Sequence, residues 1–144
     1  MKRTAAVLVT TIVGITTLSG CGGGGDPYCD AVDKNKTTLN TFGQKRTNAA
    51  YATYAKAFAD VGKEAPASIK KDWTTLSTVT TGILDAQNKT GLKLEEMTDS
   101  EKVKKLSPAQ LKELNTAYKT FNGTTKQRNA VVKNVKQECK INLK

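Results

Sequence analysis

Histidine is absent from this chain of 144 residues. That removes the commonest general base and the commonest metal ligand, so a histidine-based nucleophile, proton relay or zinc centre is excluded from the start. Arginine is scarce: of 23 basic residues only Arg3, Arg46 and Arg128 are arginine. Lysine is a hydrated point charge, whereas arginine makes forked contacts to phosphate, so a basic chain built this way lacks the usual equipment for reading nucleic acid. No known nucleic-acid motif is present either. Nowhere after residue 25 do β-branched or aromatic residues alternate for the length of a strand, which leaves an all-α fold class. Proline occurs three times, at Pro27, Pro66 and Pro108, each at a place where a helix could begin. There its missing N–H costs nothing.

What is present begins with a leader. Met1-Lys2-Arg3 is basic, and residues 5–18 carry no charge and are rich in Val, Ile, Leu and Thr. As a helix this run would rise about 21 Å, short of the roughly 30 Å hydrocarbon core, so it reads as a signal peptide rather than a membrane span. Small residues, Ser19 and Gly20, come next, and Leu18-Ser19-Gly20-Cys21 resembles the lipobox of bacterial lipoproteins. The resemblance implies that Cys21 becomes the N-terminus and carries a diacylglycerol thioether, later supplemented by fatty acid such as palmitate. It also implies an extracytoplasmic, lipid-anchored protein of the cell membrane. Two acyl chains are enough for stable anchoring. Gly22 to Gly25 favour no backbone basin and form a tether with a root-mean-square reach of roughly 12 Å from Cys21 to Asp26. The expected organisation is therefore a signal peptide over residues 1–20, a lipidated cysteine and tether over 21–25, and one helical domain over 26–144.

Loss of Lys2 and Arg3 with the leader leaves 21 basic against 13 acidic side chains, a net charge of +8. With Cys21 lipidated, Cys29 and Cys139 remain. An even pair in an exported chain reads as one disulfide spanning nearly the whole domain.

Helical periodicity runs through the domain. Asp26-Pro27 caps and starts a first helix carrying Cys29, Val32, Leu39 and Phe42, interrupted by Lys36 and expected to run to about Gly43. A second covers about 48–61, with Ala50, Tyr54, Phe58 and Val61 on one face and Gly62 as its expected stop. A third begins near Pro66 with Ile69, Trp73, Leu76, Thr80 and Ile83 at a 4-3-4-3 spacing and ends by Gly91. Residues 92–106 read as a connector in which Thr98-Asp99-Ser100-Glu101 resembles a capping box. Ser107-Pro108-Ala109-Gln110 opens the last helix. Its stripe of Leu111, Leu114, Tyr118, Phe121, Thr125, Arg128, Val132, Val135 and Cys139 keeps phase across Asn122-Gly123, so one long helix, bent at Gly123, is favoured over two packed ones. These elements make a four-helix up-down bundle, because an even number of helices brings Cys29 and Cys139 to the same end. A variant with the first two helices continuous through Gly43 ranks second, since it would turn Lys36, Gly43 and Arg46 inward.

Candidate chemistry is thin. Asp30 with Asp33 and Glu95 with Glu96 read as solvated charges near helix ends, not as acid and base pairs. The acidic run 95–101 lacks the offsets and central glycine of a calcium loop, so no metal site and no cofactor are assigned. Trp73 and the tyrosines lie on apolar stripes and read as core. The strongest asymmetry is the basic end: Lys119, Lys126, Arg128, Lys133, Lys136, Lys140 and Lys144 against Glu138 alone. Helical phase puts Lys133, Lys136, Lys140 and Lys144 on one face, a candidate contact for anionic lipid or an anionic wall polymer. The arrangement of lipobox, glycine tether, Tyr28-Cys29, Ala65-Pro66, Asp72-Trp73 and late Cys139 with Ile141-Asn142-Leu143 resembles small helical exported lipoproteins of actinobacteria. That resemblance implies placement and fold and carries no functional residue.

The leading expectation is a non-enzymatic, membrane-anchored interaction or envelope module with an unspecified protein partner. The alternative is a carrier of a small apolar ligand in a cavity lined by Trp73, Tyr54, Phe58 and Tyr118. An enzyme would require carboxylates converging in a cleft.

Overall fold

The computed structural model describes residues 25–144. The leader, the lipobox with Cys21 and all but the last glycine of the tether lie outside the described residues. The described chain is all-helical, with no strand: α1 Pro27–Asn40, α2 Asn48–Glu64, α3 Ala67–Thr90, a 3-10 turn Leu94–Glu96, a short α4 Ser100–Lys104, α5 Pro108–Asn122 and α6 Thr125–Cys139.

Local chemistry accounts for the boundaries. The Asp26 side chain accepts from the Tyr28 amide at 2.9 Å ahead of Pro27, which starts α1. Ser107 and Gln110 form the expected reciprocal capping box, with the Gln110 amide donating to Ser107 Oγ at 3.2 Å and the Ser107 amide to Gln110 Oε1 at 2.9 Å. In the connector the cap is Asp99 rather than Thr98; its carboxylate accepts from the amides of Glu101 and Lys102. Gly91, with φ of 71°, ends α3 in the left-handed conformation that glycine adopts without penalty. Gly43, at φ 81°, lies in the turn over 41–44 that separates α1 from α2, so these are two helices.

Four columns build the bundle: α1, α2, α3 and the bent pair α5 and α6. Helix α3 is central, packing on α2, α5 and α6, while α1 lies against α2 and α6. Tyr28, Val32 and Leu39 bury the inner face of α1, and Lys36 is exposed because Asn35 takes the half-buried slot between them. The Asn35 side-chain amide donates to the Ala31 carbonyl at 2.9 Å. On α3, Ile69, Trp73, Leu76, Thr80 and Ile83 are all buried, as the spacing predicts. Gly62 does not stop α2, which continues to Glu64. A Cβ there would lie 3.2 Å from Trp73 Cβ, so this glycine admits the tryptophan between α2 and α3.

The last column bends where expected, and its phase slips there. The Thr124 amide and hydroxyl both donate to the Phe121 carbonyl, at 3.1 Å and 2.6 Å, closing an i−3 turn in place of the regular ladder. Thr124 has ψ of 20°, and the tighter turn over-rotates α6 relative to α5. Earlier residues therefore reach the core: Thr124 is buried where Thr125 was expected, and Val131 is 4% exposed against 36% for Val132. Val135 is buried in either register.

The Cys29–Cys139 disulfide joins the start of α1 to the end of α6, with Cα atoms 5.2 Å apart. Beyond it the helix stops. Lys140 takes φ of 57° and reverses the chain. Ile141 and Leu143 then pack on the core at alternate positions, and the Lys144 amide donates to Asn40 Oδ1 at 2.8 Å. The C-terminal residues thus run back along α1 as an extended strap.

Candidate functional site

Two regions hold the chemistry that the fold assembles. The first is the disulfide pole. Lys133 and Lys136 lie on α6 within two turns of Cys139, and the Lys140 ammonium donates to the Gln137 carbonyl at 2.7 Å, satisfying a terminal carbonyl of α6. Lys144 is elsewhere. Helix α1 rises about 16 Å between Cys29 and Asn40, and the strap carries Lys144 to the Asn40 end. The four lysines therefore do not share one helical face, because the helical phase that grouped them ends at residue 139. Nothing in the sequence marks that end, since a lysine, not a glycine, takes the left-handed position.

The second region is a cleft of about 640 Å³ between the α1–α2 turn, the start of α2, the 3-10 turn and the bend of the last column. Its floor is aromatic. Phe42 packs on Tyr54 and Phe58 edge to face at 5.2 Å and 5.0 Å, and on Phe121 at 5.7 Å, while Tyr51 meets Phe121 at 5.7 Å. The 3-10 turn forms one wall through Leu94 and Met97. That wall is clasped to α2: Asn48 Oδ1 accepts from the Leu94 amide at 2.9 Å, and the Asn48 amide donates to Glu95 Oε2 at 3.0 Å. Glu95 accepts from its own amide and from that of Asn48, which holds its carboxyl below the usual range. It is the only acid lining the cleft.

Arg46 and Arg128, the two arginines of the described chain and 82 positions apart in sequence, both line this cleft. Every ion pair among the described residues uses a lysine, so neither guanidinium faces a carboxylate partner there. Arg128 lies 5.7 Å over the Phe121 ring and donates to Thr125 Oγ1 at 3.3 Å. Burial raises the pKa of the Tyr51 hydroxyl, against the opposing pull of Arg46 and then of Arg128. Tyr118 is raised by burial first and by Tyr51 second, while the Gln87 hydrogen bond and Arg46 work the other way. Tyr51, Tyr118, Arg46 and Arg128 thus line one cleft.

The tyrosines divide by how their protons are used. Tyr28 donates to Asn134 Oδ1 at 2.7 Å and Tyr54 to the Thr41 carbonyl at 2.6 Å. Tyr51 and Tyr118, which line the cleft, donate to no acceptor among the described residues; Tyr118 accepts from Gln87 Nε2 at 3.0 Å. Gln87 is 1% exposed, and its Oε1 is the one buried side-chain polar atom among the described residues without a partner. Spacing along the chain gave no sign of this site, because Arg46 sits in a loop and Arg128 read as one position of the last helix's stripe and one base of its basic end.

The anticipated cavity around Trp73 differs from what is found. Trp73, Tyr54 and Phe58 are buried in the packed core, and of the four only Tyr118 lines the cleft. A groove of about 630 Å³ between α3 and α5 is lined by small side chains and bridged by Lys89 and Glu113 at 2.6 Å. Asp30 and Asp33 are exposed on α1, and Glu96 accepts from Lys102 Nζ at 2.6 Å and from the Lys93 amide at 2.9 Å. Among the described residues no three His, Cys, Asp or Glu side chains are grouped to hold a metal ion, and no helix is long and apolar enough to cross a membrane. Compared with protein-family models, with curated proteins and with solved structures, the chain matches none.

Proposed function

We propose that the protein is an exported lipoprotein, acylated on Cys21 and held on the extracytoplasmic face of the cell membrane, where its helical body serves as a non-enzymatic interaction or envelope module. The observation that carries this reading is the Cys29–Cys139 disulfide across 110 residues. A bond of that kind belongs to an oxidising compartment, which supports export. It also brings the end of α6 beside the start of α1, so Lys133, Lys136 and Lys140 lie toward the pole where the described chain begins. The charge there suits anionic lipid or an anionic wall polymer. Carriage of an apolar ligand between the helices has less support, since Trp73 is 0% exposed and packed within the core.

Membrane fractionation of cells expressing Cys21→Ser tests the anchor. Release of the variant into the soluble or secreted fraction, with loss of fatty-acid labelling, is the expected result. Unchanged membrane association and labelling would overturn it.

A further inference from the structure

We infer that the cleft between the α1–α2 turn and the bend at Gly123 is a binding site for a small organic anion, a phosphate monoester or carboxylate carried on an apolar or aromatic body. The inference is independent of lipidation at Cys21.

Three observations on one surface point to this class. The first is the concentration of the scarce residue: after the leader the chain has 19 lysines and two arginines, and both arginines line the same cleft. A guanidinium presents a planar fork that matches a carboxylate or phosphate, and here neither fork is spent on a carboxylate of the described chain. The second is an unused donor. Tyr51 donates to no acceptor among the described residues, where Tyr28 and Tyr54 give their protons to internal acceptors. The third is shape. About 640 Å³ is the volume of a small-molecule site, and its floor of Phe42 and Phe121 with Leu94 and Met97 beside it is apolar. An inorganic anion would leave that floor wet, and a neutral apolar molecule would leave two guanidiniums without an anionic partner. A ligand with both parts satisfies both. Glu95 on the rim is already held by the Asn48 amide and is a single acid against two guanidiniums, so the sign of the site is set by Arg46 and Arg128.

The test is isothermal titration calorimetry on the full chain in neutral phosphatidylcholine nanodiscs, with empty nanodiscs subtracted. The probe is 2-naphthyl phosphate, compared with inorganic phosphate and with 2-naphthol. The expected result is saturable binding of 2-naphthyl phosphate, at least about tenfold tighter than either fragment. Arg46→Gln and Tyr51→Phe should weaken it, the first by about tenfold, the size of one charge-assisted hydrogen bond. Arg46→Lys should recover only part of the loss. Lys112→Gln, which removes an equal charge from α5 outside the cleft, should bind as the unmodified chain does. Arg46 is exposed, so its variants should keep the thermal midpoint and report on binding alone. Dihexanoyl phosphatidate tests the source of the anion: tighter binding than 2-naphthyl phosphate names a lipid headgroup, weaker binding a soluble aromatic anion, and either supports the site. Equal binding by Arg46→Gln and the unmodified chain, or no preference for 2-naphthyl phosphate over both fragments, would overturn the inference.

Discussion

The indole Nε1 of Trp73 donates to the hydroxyl of Tyr28 at 3.1 Å, and that hydroxyl in turn donates to Asn134 Oδ1 at 2.7 Å. One oxygen on α1 therefore joins α3 to α6 inside a core where Trp73 has no solvent exposure. A buried tryptophan needs an acceptor for its N–H, and Tyr28 is where this chain supplies it. Replacing Tyr28 with Phe removes the acceptor and keeps the ring, so the packing survives and the N–H is orphaned. Leaving a buried donor unsatisfied costs about 1–3 kcal/mol. Thermal unfolding followed by circular dichroism should shift down by several degrees, and an unchanged midpoint would mean that the bond contributes nothing net.

The disulfide closes a loop of 110 residues. The chain-entropy model assigns about 4.7 kcal/mol to a loop of roughly that length. Paired substitution of Cys29 and Cys139 by Ser should lower the urea midpoint without changing the helical signal of the folded state. Peptide mapping without reductant should find these two cysteines linked; two free thiols there would remove the basis for joining the anchor to the end of α6.

How much of this was legible in the sequence depends on where the chain keeps a regular helix. On α3 the buried set matches the spacing because nothing interrupts the ladder between Pro66 and Gly91. The stripe of the last column holds through Phe121 and then moves by one residue, because the Thr124 hydroxyl competes for the Phe121 carbonyl and tightens one turn. A threonine on the surface of a regular helix has the same letter, so the slip is a tertiary event. The strap was hidden for a similar reason. Lys140 in a left-handed conformation is an exception to the glycine rule, and Ile141 and Leu143 alternate over too few residues to signal an extended segment. Capping chemistry was more faithful: Ser107 with Gln110, Asp26 with Pro27 and Gly91 all act locally, within four residues. The cleft needed the long-range approach of residues 46 and 128, which periodicity cannot supply.

Three tyrosines should titrate late. Tyr28, Tyr51 and Tyr118 are each raised above 10.0, with burial the largest cause in every case. A raised value in the folded state means that folding favours the protonated phenol. The stability this contributes is present in full below the unfolded value and is lost as pH climbs through the folded ones. Phenolate absorbance should therefore lag behind free tyrosine above pH 10.0, and helical signal should decline over the same interval. Arg46 opposes the shift at both Tyr51 and Tyr118, so Arg46→Gln should move that absorbance to still higher pH. A titration unaffected by this substitution would place the guanidinium away from the two hydroxyls.

The connector gives a test at the other end of the pH scale. Glu95 is held below its ordinary 4.5 by two backbone amides, so its contribution is present above that value and falls away as pH drops through the depressed folded one. Hydrogen exchange at the Asn48 amide, which donates to this carboxylate, should accelerate in acid relative to neighbouring amides once the intrinsic pH dependence is removed. Glu95→Gln should show the faster exchange already at neutral pH. Equal protection in the variant would mean that the clasp holds through Asn48 Oδ1 and the Leu94 amide alone.

The basic pole can be separated from mere net charge by the position of Lys144. Lysines within one or two Debye lengths of an anionic surface, about 8 Å each at physiological salt, gain about 1 kcal/mol apiece. When the disulfide pole faces such a surface, Lys133, Lys136 and Lys140, all within two turns of Cys139, come near that range together. Lys144 does not, because the strap returns it to Asn40, about 16 Å further along α1. Residues 25–144 should bind anionic vesicles weakly, lose that binding at high salt and ignore neutral vesicles. Replacing Lys133, Lys136 and Lys140 together with Gln should abolish the binding, while Lys144→Gln, which removes one charge of the same sign, should leave it unchanged. If Lys144→Gln weakens binding as much as each of the other lysines does singly, orientation plays no part and the attraction is that of a uniformly basic body.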